Sequence, residues 1–153
     1  MLDKLIIITL VLGTLAAPPS NEEVALAQIM QGEAHHQYMA SNYDGAYCVG
    51  WVARNRLLSQ RYGSSYAEIQ AGFNGTISSV PQREYLVLAR LAINGEEDPT
   101  RGAVYVFSQQ DVDHLGFNES EALLVIRASK NRALIFFAKW PQSRKKGVGK
   151  RGL

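Results

Sequence analysis

A single cysteine, Cys48, is all the thiol chemistry this chain has. That excludes an internal disulfide and any multi-cysteine metal site. Cys48 sits in the apolar run Tyr47-Cys48-Val49-Gly50-Trp51-Val52, which reads as a packed structural thiol; a nucleophile would also need an aligned base. Long hydrophobic runs are also lacking. The apolar stretch from Leu5 to Leu12 is far shorter than the roughly 20 residues that span a bilayer as a helix. Basic charge is scarce outside the C-terminus. The formal net charge of +2 rests on Arg144, Lys145, Lys146, Lys150 and Arg151, and without them 11 basic residues face 14 acidic ones. A mildly acidic body excludes a basic nucleic-acid-binding face on the domain and leaves such binding only to the tail. Metal-ligand spacing is missing as well: His35 and His36 are adjacent, so on a helix they point about 100° apart, and no His-x-x-x-His pair accompanies them. No metal and no cofactor are expected.

What is present is enough for one compact domain with its own core: 153 residues, 46% of them apolar. Residues 1–17 read as a signal peptide or N-terminal anchor. Lys4 precedes the Leu5 to Leu12 run, and Thr14-Leu15-Ala16 fits the small-x-small cleavage rule, although Asp3 departs from a positive start and a buried strand stays open as a reading. Export to the cell envelope or beyond follows from that segment. Pro18-Pro19 separates it from a domain over residues 20–140, and residues 141–153 form a basic flexible tail with little to bury.

The domain begins with a capping box, Ser20-Asn21-Glu22-Glu23, followed by Val24, Ala27, Met30 and Ala34 at the spacing of a half-buried helix. Glu33 falls at the edge of that stripe. There a carboxylate loses hydration, its pKa rises and it can keep a proton to donate; an ordinary solvated helix-end Glu is the plain alternative. A polar, aromatic loop from His35 to Asp44 comes next, then a helix from Gly45 to Arg61. Gly50 within that helix implies close packing against another element, and Asn55-Arg56 near its end have the character of side chains that tie down backbone. Ser64 to Glu68 starts a short helix. Ala71 to Gly75 is a turn carrying an exposed aromatic, Phe73, which is either a core plug or a stacking surface. Pro81 opens another helix in its first turn, and Asn94-Gly95 closes it. The turn Asp98 to Ala103 feeds a strand, Ala103 to Phe107, with Val104 and Val106 on one face and Tyr105 and Phe107 on the other. Ser108 to Asp111 caps a helical turn. Glu121 to Arg127 and Leu134 to Lys139 form a hairpin around Lys130-Asn131, with a helix left open for the first of the two. The expected class is α+β: a single small domain of helices followed by a small antiparallel sheet flanking a cleft.

Gly32-Glu33-Ala34, Tyr43-Asp44-Gly45, Val52-Ala53-Arg54-Asn55-Arg56 and Asp98-Pro99-Thr100-x-Gly102-Ala103 with Tyr105 occur in that order. From about Val24 to Lys139 the chain resembles the catalytic domain of the SleB-type cell wall hydrolases, which include spore cortex-lytic enzymes. The resemblance implies a lytic-transglycosylase-like or lysozyme-like cleft, with Glu33 as the catalytic acid and peptidoglycan glycan strands as partner. The bond cleaved would be that between N-acetylmuramic acid and N-acetylglucosamine. Asn55, Arg56, Asp98, Thr100 and Gly102 would be its structural motif residues; Tyr43, Asp44, Phe73 and Tyr105 are the substrate-binding set expected from their own side-chain chemistry. The chain departs from the family in two places. His35-His36-Gln37 stand where the family has Arg-Gly-Glu, so a second Glu is missing, and about four extra residues precede Tyr43.

One carboxyl suffices for such chemistry. Ordinary glycosidases need two, but a lytic transglycosylase uses the muramic acid C6 hydroxyl as internal nucleophile. A single group then serves first as acid and next as base if its pKa lies near the working pH. Tyr43, Tyr47, Phe73, Tyr105 and Phe107 are candidates to stack on sugar rings, Asp98 caps its turn, and Asp44 or Asp111 as second acid keeps hydrolysis open. Two other functions stand beside this one: an inactive wall-binding module, and a nucleic-acid-binding protein working through its tail. The enzyme is expected to be monomeric, with the N-terminal segment its only membrane contact.

Overall fold

The computed structural model describes residues 17–34 and 43–144. Among these, α1 spans Asn21–Ala34, α2 Tyr43–Ser59, α3 Tyr66–Ile69 with a following 3₁₀ turn at Gln70–Gly72, and α4 Arg83–Asn94. Strand β1, Tyr105–Ser108, leads directly into α5, Gln109–Leu115. A 3₁₀ turn at Glu119–Glu121 then precedes β2, Leu124–Ser129, and β3, Arg132–Phe137. The architecture is α+β, with a three-stranded antiparallel sheet in the order β1-β3-β2. No described helix is long and apolar enough to cross a membrane.

The capping box is complete: Glu23 N–H donates to Ser20 Oγ, and Ser20 N–H donates to the Glu23 carboxylate. Arg90 of α4 grips the same carboxylate with two nitrogens, joining the start of α1 to its neighbour. Helix α1 is more deeply embedded than a half-buried stripe. Leu26, Ala27, Ile29 and Met30 are fully enclosed, because α2, α3 and α4 surround it on several sides. Glu22 accepts from Tyr66 N–H at the start of α3, and polar side chains further along α1 face the segment that follows α3. Gln28 donates to Ser79 O and accepts from Gln70 Nε2, while Gln31 Oε1 accepts from Gln82 N–H.

Helix α2 starts two residues before the expected Gly45, so Tyr43 and Asp44 form its first turn and not the loop. Tyr43 gains an edge-on contact with Tyr85 of α4 at 6.3 Å, and an acidic residue is favourable at a helix N-terminus. The helix stops at Ser59 and not Arg61, since Gln60 takes a left-handed backbone with φ of 56°. A Cβ at Gly50 would come within 2.9 Å of Met30 Sδ, the close packing expected there, and Cys48 is buried. Pro81 lies before the N-cap residue Gln82, outside α4. Gly95 after α4 is not left-handed; it is small because a Cβ there would meet Trp51 Cζ2 at 2.6 Å.

Strand β3 divides two apolar clusters. Leu134 and Phe136 face the helices along with Val106, Leu124 and Ile126. Ala133, Ile135 and Phe137 face Val112 of α5 and Phe117, along with Tyr105, Phe107 and Val125. The period-two alternation therefore holds in all three strands, and the sheet lies between the helical body and α5. Ser108 and Asp111 form a second capping box at the start of α5. Residues 141–144, within the expected tail, are placed against the domain. Pro141 is buried, Ser143 bridges to Phe117, and Arg144 bonds Gly116 O and Asn118, so residues 141–144 dock on the loop after α5. Residues 1–16, 35–42 and 145–153, where the expected targeting segment, His35, His36, Gln37 and most of the expected basic tail fall, lie outside the described residues.

Candidate active site

Between the helical body and the sheet lies a cleft of about 410 Å³. Glu33 from the last turn of α1 and Arg56 from the last turn of α2 form one side, with Phe73 and Asn74 beside them. Tyr105 to Ser108 of β1, Asp111 of α5 and Trp140 form the other.

Glu33 is positioned by two glycines. The backbone of Gly75 runs against the last turn of α1 so closely that a Cβ on Gly32 would lie 1.6 Å from Gly75 O. A Cβ on Gly75 would lie 2.6 Å from Gly32 O, so both positions need a bare backbone. This approach lets Gly75 N–H donate to Glu33 Oε1 at 2.7 Å. Burial pushes the Glu33 carboxyl above its ordinary value, opposed by the Gly75 bond and by the nearby Arg56 charge, and reinforced by Asp111. With Oε1 occupied as an acceptor, Oε2 is the oxygen suited to carry a proton. A partly dry carboxyl on a cleft wall is equipped to protonate a leaving oxygen and then take a proton back.

Arg56 is buried. Its Nε donates to Val104 O and its Nη1 to Gly72 O, so it joins the turn beside Phe73 to the start of β1. The guanidinium lies 4.2 Å from the Phe73 ring centre and 5.0 Å from that of Tyr62, a stacked setting that lysine would not reproduce. Desolvation makes its proton slightly easier to lose than that of a free guanidinium, without threatening its charge. Asn55 performs the parallel task one residue earlier, donating to Asp98 Oδ2 and Ala103 O. Asp98 in turn accepts from Thr100 N–H, the Thr100 hydroxyl and Gly102 N–H. Thr100 is fully buried, and Gly102 has a φ of 86°, where glycine is at ease. These five residues form a brace that delivers β1, and with it Tyr105, to the cleft. None of the brace carboxylate faces remains for chemistry at Asp98, in keeping with its reading as a turn cap.

The expected substrate set divides. Phe73 and Tyr105 line the cleft, but Phe73 is buried and so is both plug and wall, against its reading as an exposed aromatic. A loop that passes under Arg56 cannot present its aromatic to solvent. Tyr43 and Asp44 do not line this cleft. Tyr43 stands against Tyr85 instead, with burial raising its phenol pKa. Their place in the first turn of α2 removes them from β1. Phe107 does line the cleft, and Tyr47 is near Gly95. Of the two possible second acids only Asp111 is at hand, and its Oδ2 already accepts from the Ser108 hydroxyl at 2.6 Å.

Tyr62 and Trp140 were not foreseeable from local pattern alone. Tyr62 follows the helix stop and shares a hydrogen bond of 3.1 Å between its hydroxyl and that of Tyr105. Trp140 follows the last sheet residue, Phe137, where alternation no longer predicts a facing; a large aromatic just past a core strand is the one available signal. No family model matches the chain, and neither a curated protein nor a solved structure does.

Proposed function

We propose that this chain is a peptidoglycan-cleaving enzyme of the cell envelope, acting on the bond between N-acetylmuramic acid and N-acetylglucosamine with Glu33 as the acid/base. The observation that carries the reading is the half-buried Glu33 carboxyl, its pKa raised, on the wall of a cleft flanked by aromatic rings. It is joined by the ordered resemblance of the Gly32-Glu33-Ala34, Asn55-Arg56 and Asp98 to Ala103 segments to the SleB-type hydrolases.

In the reaction, Glu33 Oε2 gives its proton to the glycosidic oxygen as the bond to the muramic acid anomeric carbon breaks. The resulting carboxylate then takes the proton of the C6 hydroxyl as that oxygen closes on the same carbon, leaving a 1,6-anhydro end. No external nucleophile is consumed, and Glu33 finishes protonated. Arg56 keeps the acid from becoming too weak, because a cation nearby favours the carboxylate that the first step creates.

Mass spectrometry of peptidoglycan fragments tests the reading. The intact chain should yield 1,6-anhydromuramic ends, and Glu33→Gln none. Reducing ends would indicate hydrolysis, with Asp111, not Asp44, as the second acid to replace. A second reading, an inactive wall-binding module, is favoured by one observation: Glu33, like Gln28 and Gln31, uses its side chain to bond the segment after α3. Equal absence of cleavage from the intact chain and from Glu33→Gln, with glycan binding retained, would select it.

A further inference from the structure

Trp140 is the one aromatic of the cleft that is open to solvent, at 58% exposure, among the described residues. Large exposed tryptophans are costly to leave in water, and this one is also held in place. Its ring stands edge-on to Tyr105, Phe107 and Phe117 at 5.5, 5.4 and 5.6 Å, with interplanar angles of 88°, 90° and 83°. Tyr105 and Phe107 are themselves near-parallel, 13° apart, and Phe117 is buried against α5. Pro141, buried immediately after it, and the docked residues to Arg144 hold the chain on its far side. A rigid, preordered aromatic costs little further entropy when a ligand covers it.

The opposite lining is of another kind. Asn74 is an exposed polar side chain there and Glu33 lies deeper, while Asp111, on the same side as Trp140, adds a second exposed polar group at the rim. An aromatic ring on one side and hydrogen-bonding groups on the other match a ligand with an apolar face and a polar edge. A pyranose ring has that form, with axial C–H groups on its face and hydroxyls around its rim. We infer that Trp140 is a substrate-positioning residue that stacks on an N-acetylhexosamine ring and holds the glycan across the Glu33 cleft. Its backing rings Tyr105, Phe107 and Phe117 fix the platform, and the polar edge of the sugar is met by Asn74 and Asp111. The inference rests on the glycan reading of the site, and it adds a residue that touches the sugar without taking part in proton transfer.

The two tryptophans make the test direct, because Trp51 is only 3% exposed and Trp140 supplies the quencher-accessible emission. The β-1,4-linked N-acetylglucosamine tetramer, added to the full chain carrying Glu33→Gln so that nothing is cleaved, should protect that emission from acrylamide. Adding Trp140→Ala should weaken tetramer binding roughly tenfold, the effect of re-exposing a few tens of Å² of apolar surface, while Trp140→Phe keeps most of the affinity. In the chain with Glu33 intact, Trp140→Ala should raise KM and leave kcat near its original value, which loss of folding alone would not do. Unprotected Trp140 emission in the presence of tetramer, or no detectable binding at millimolar tetramer, overturns the inference; the protection measurement needs no variant at Trp140 and so is immune to misfolding there. If peptidoglycan is cleaved but Trp140→Ala binds and cleaves like the original, the inference alone falls. If nothing is cleaved yet the tetramer protects Trp140, the platform stands and the enzymatic reading falls.

Discussion

A carboxyl withdrawn from water prefers its proton, and for Glu33 that preference acts on stability as well as on turnover. Its folded pKa lies above the ordinary 4.5, so between the two values the native state holds more protons than the unfolded chain. Its contribution to stability is therefore greatest below about pH 4.5 and declines as pH rises through the raised value. Glu23 has the opposite sign: its bond with Arg90 lowers its pKa, so its contribution is present above 4.5 and is lost on acidification. Glu33→Gln retains an oxygen to accept from Gly75 but has no charge to desolvate. Urea midpoints should consequently show the variant gaining on the original chain as pH rises above the ordinary 4.5, and a difference that does not change with pH there would remove the buried-acid assignment. Turnover, in contrast, should fall by about 10² to 10⁴ in Glu33→Gln, measured as release of soluble muropeptides. Gly32→Ala tests how Glu33 is held. Its new methyl would sit 1.6 Å from Gly75 O, so backbone must shift. A loss of about 1–3 kcal/mol or more in denaturant unfolding is expected, together with reduced activity despite an untouched carboxyl.

Among the elements, the brace from α2 to β1 is where sequence and structure meet most closely. Asp98→Ala would strip the carboxylate partner from the Thr100 and Gly102 amides and one of the partners from Asn55, which keeps Ala103 O. Unmet polar groups of this kind cost about 1–3 kcal/mol each when buried, so a lowered urea midpoint should accompany reduced activity. Because the acid itself is unchanged, the pH at which activity falls should stay where it is; a displaced pH profile would give Asp98 a part in the chemistry. The polar character of Asn55 and Arg56 on a mainly apolar helix already marks them as ties to backbone, and the Asp-Pro-Thr-x-Gly turn is readable from its own chemistry. Helices and hairpin are readable for the same reason: their signals are local, at three- and four-residue spacing in one case and two in the other. Tyr43 and Asp44 were misplaced by the same local logic, since nothing near them in sequence announces Tyr85, some forty positions on. Phe73 takes the core-plug side of its two readings, and Trp140 carries no local signal of its exposure, on similar grounds. What buries Phe73 is an arginine from α2, and what positions Trp140 is a trio of rings from β1 and the loop after α5.

For the molecule as a whole, β3 makes two apolar clusters into one cooperative unit, since alternate residues of one strand belong to each. Phe136→Ala acts on the helical side, where Phe136 is fully enclosed, and should cost about 3–5 kcal/mol. Phe137→Ala acts on the α5 side. Both should lower the midpoint of a single transition followed alike by far-ultraviolet dichroism and by tryptophan emission; two separated transitions would show that the sheet face with α5 melts by itself. Cys48 extends this to the folded state. The only thiol of the chain lies 1% exposed in the middle of α2, packed into the larger cluster. A thiol reagent can therefore reach it only when that cluster opens. Where reclosing outruns labelling, the labelling rate under native conditions becomes a clock for rare opening events, one that needs no denaturant and no engineered probe.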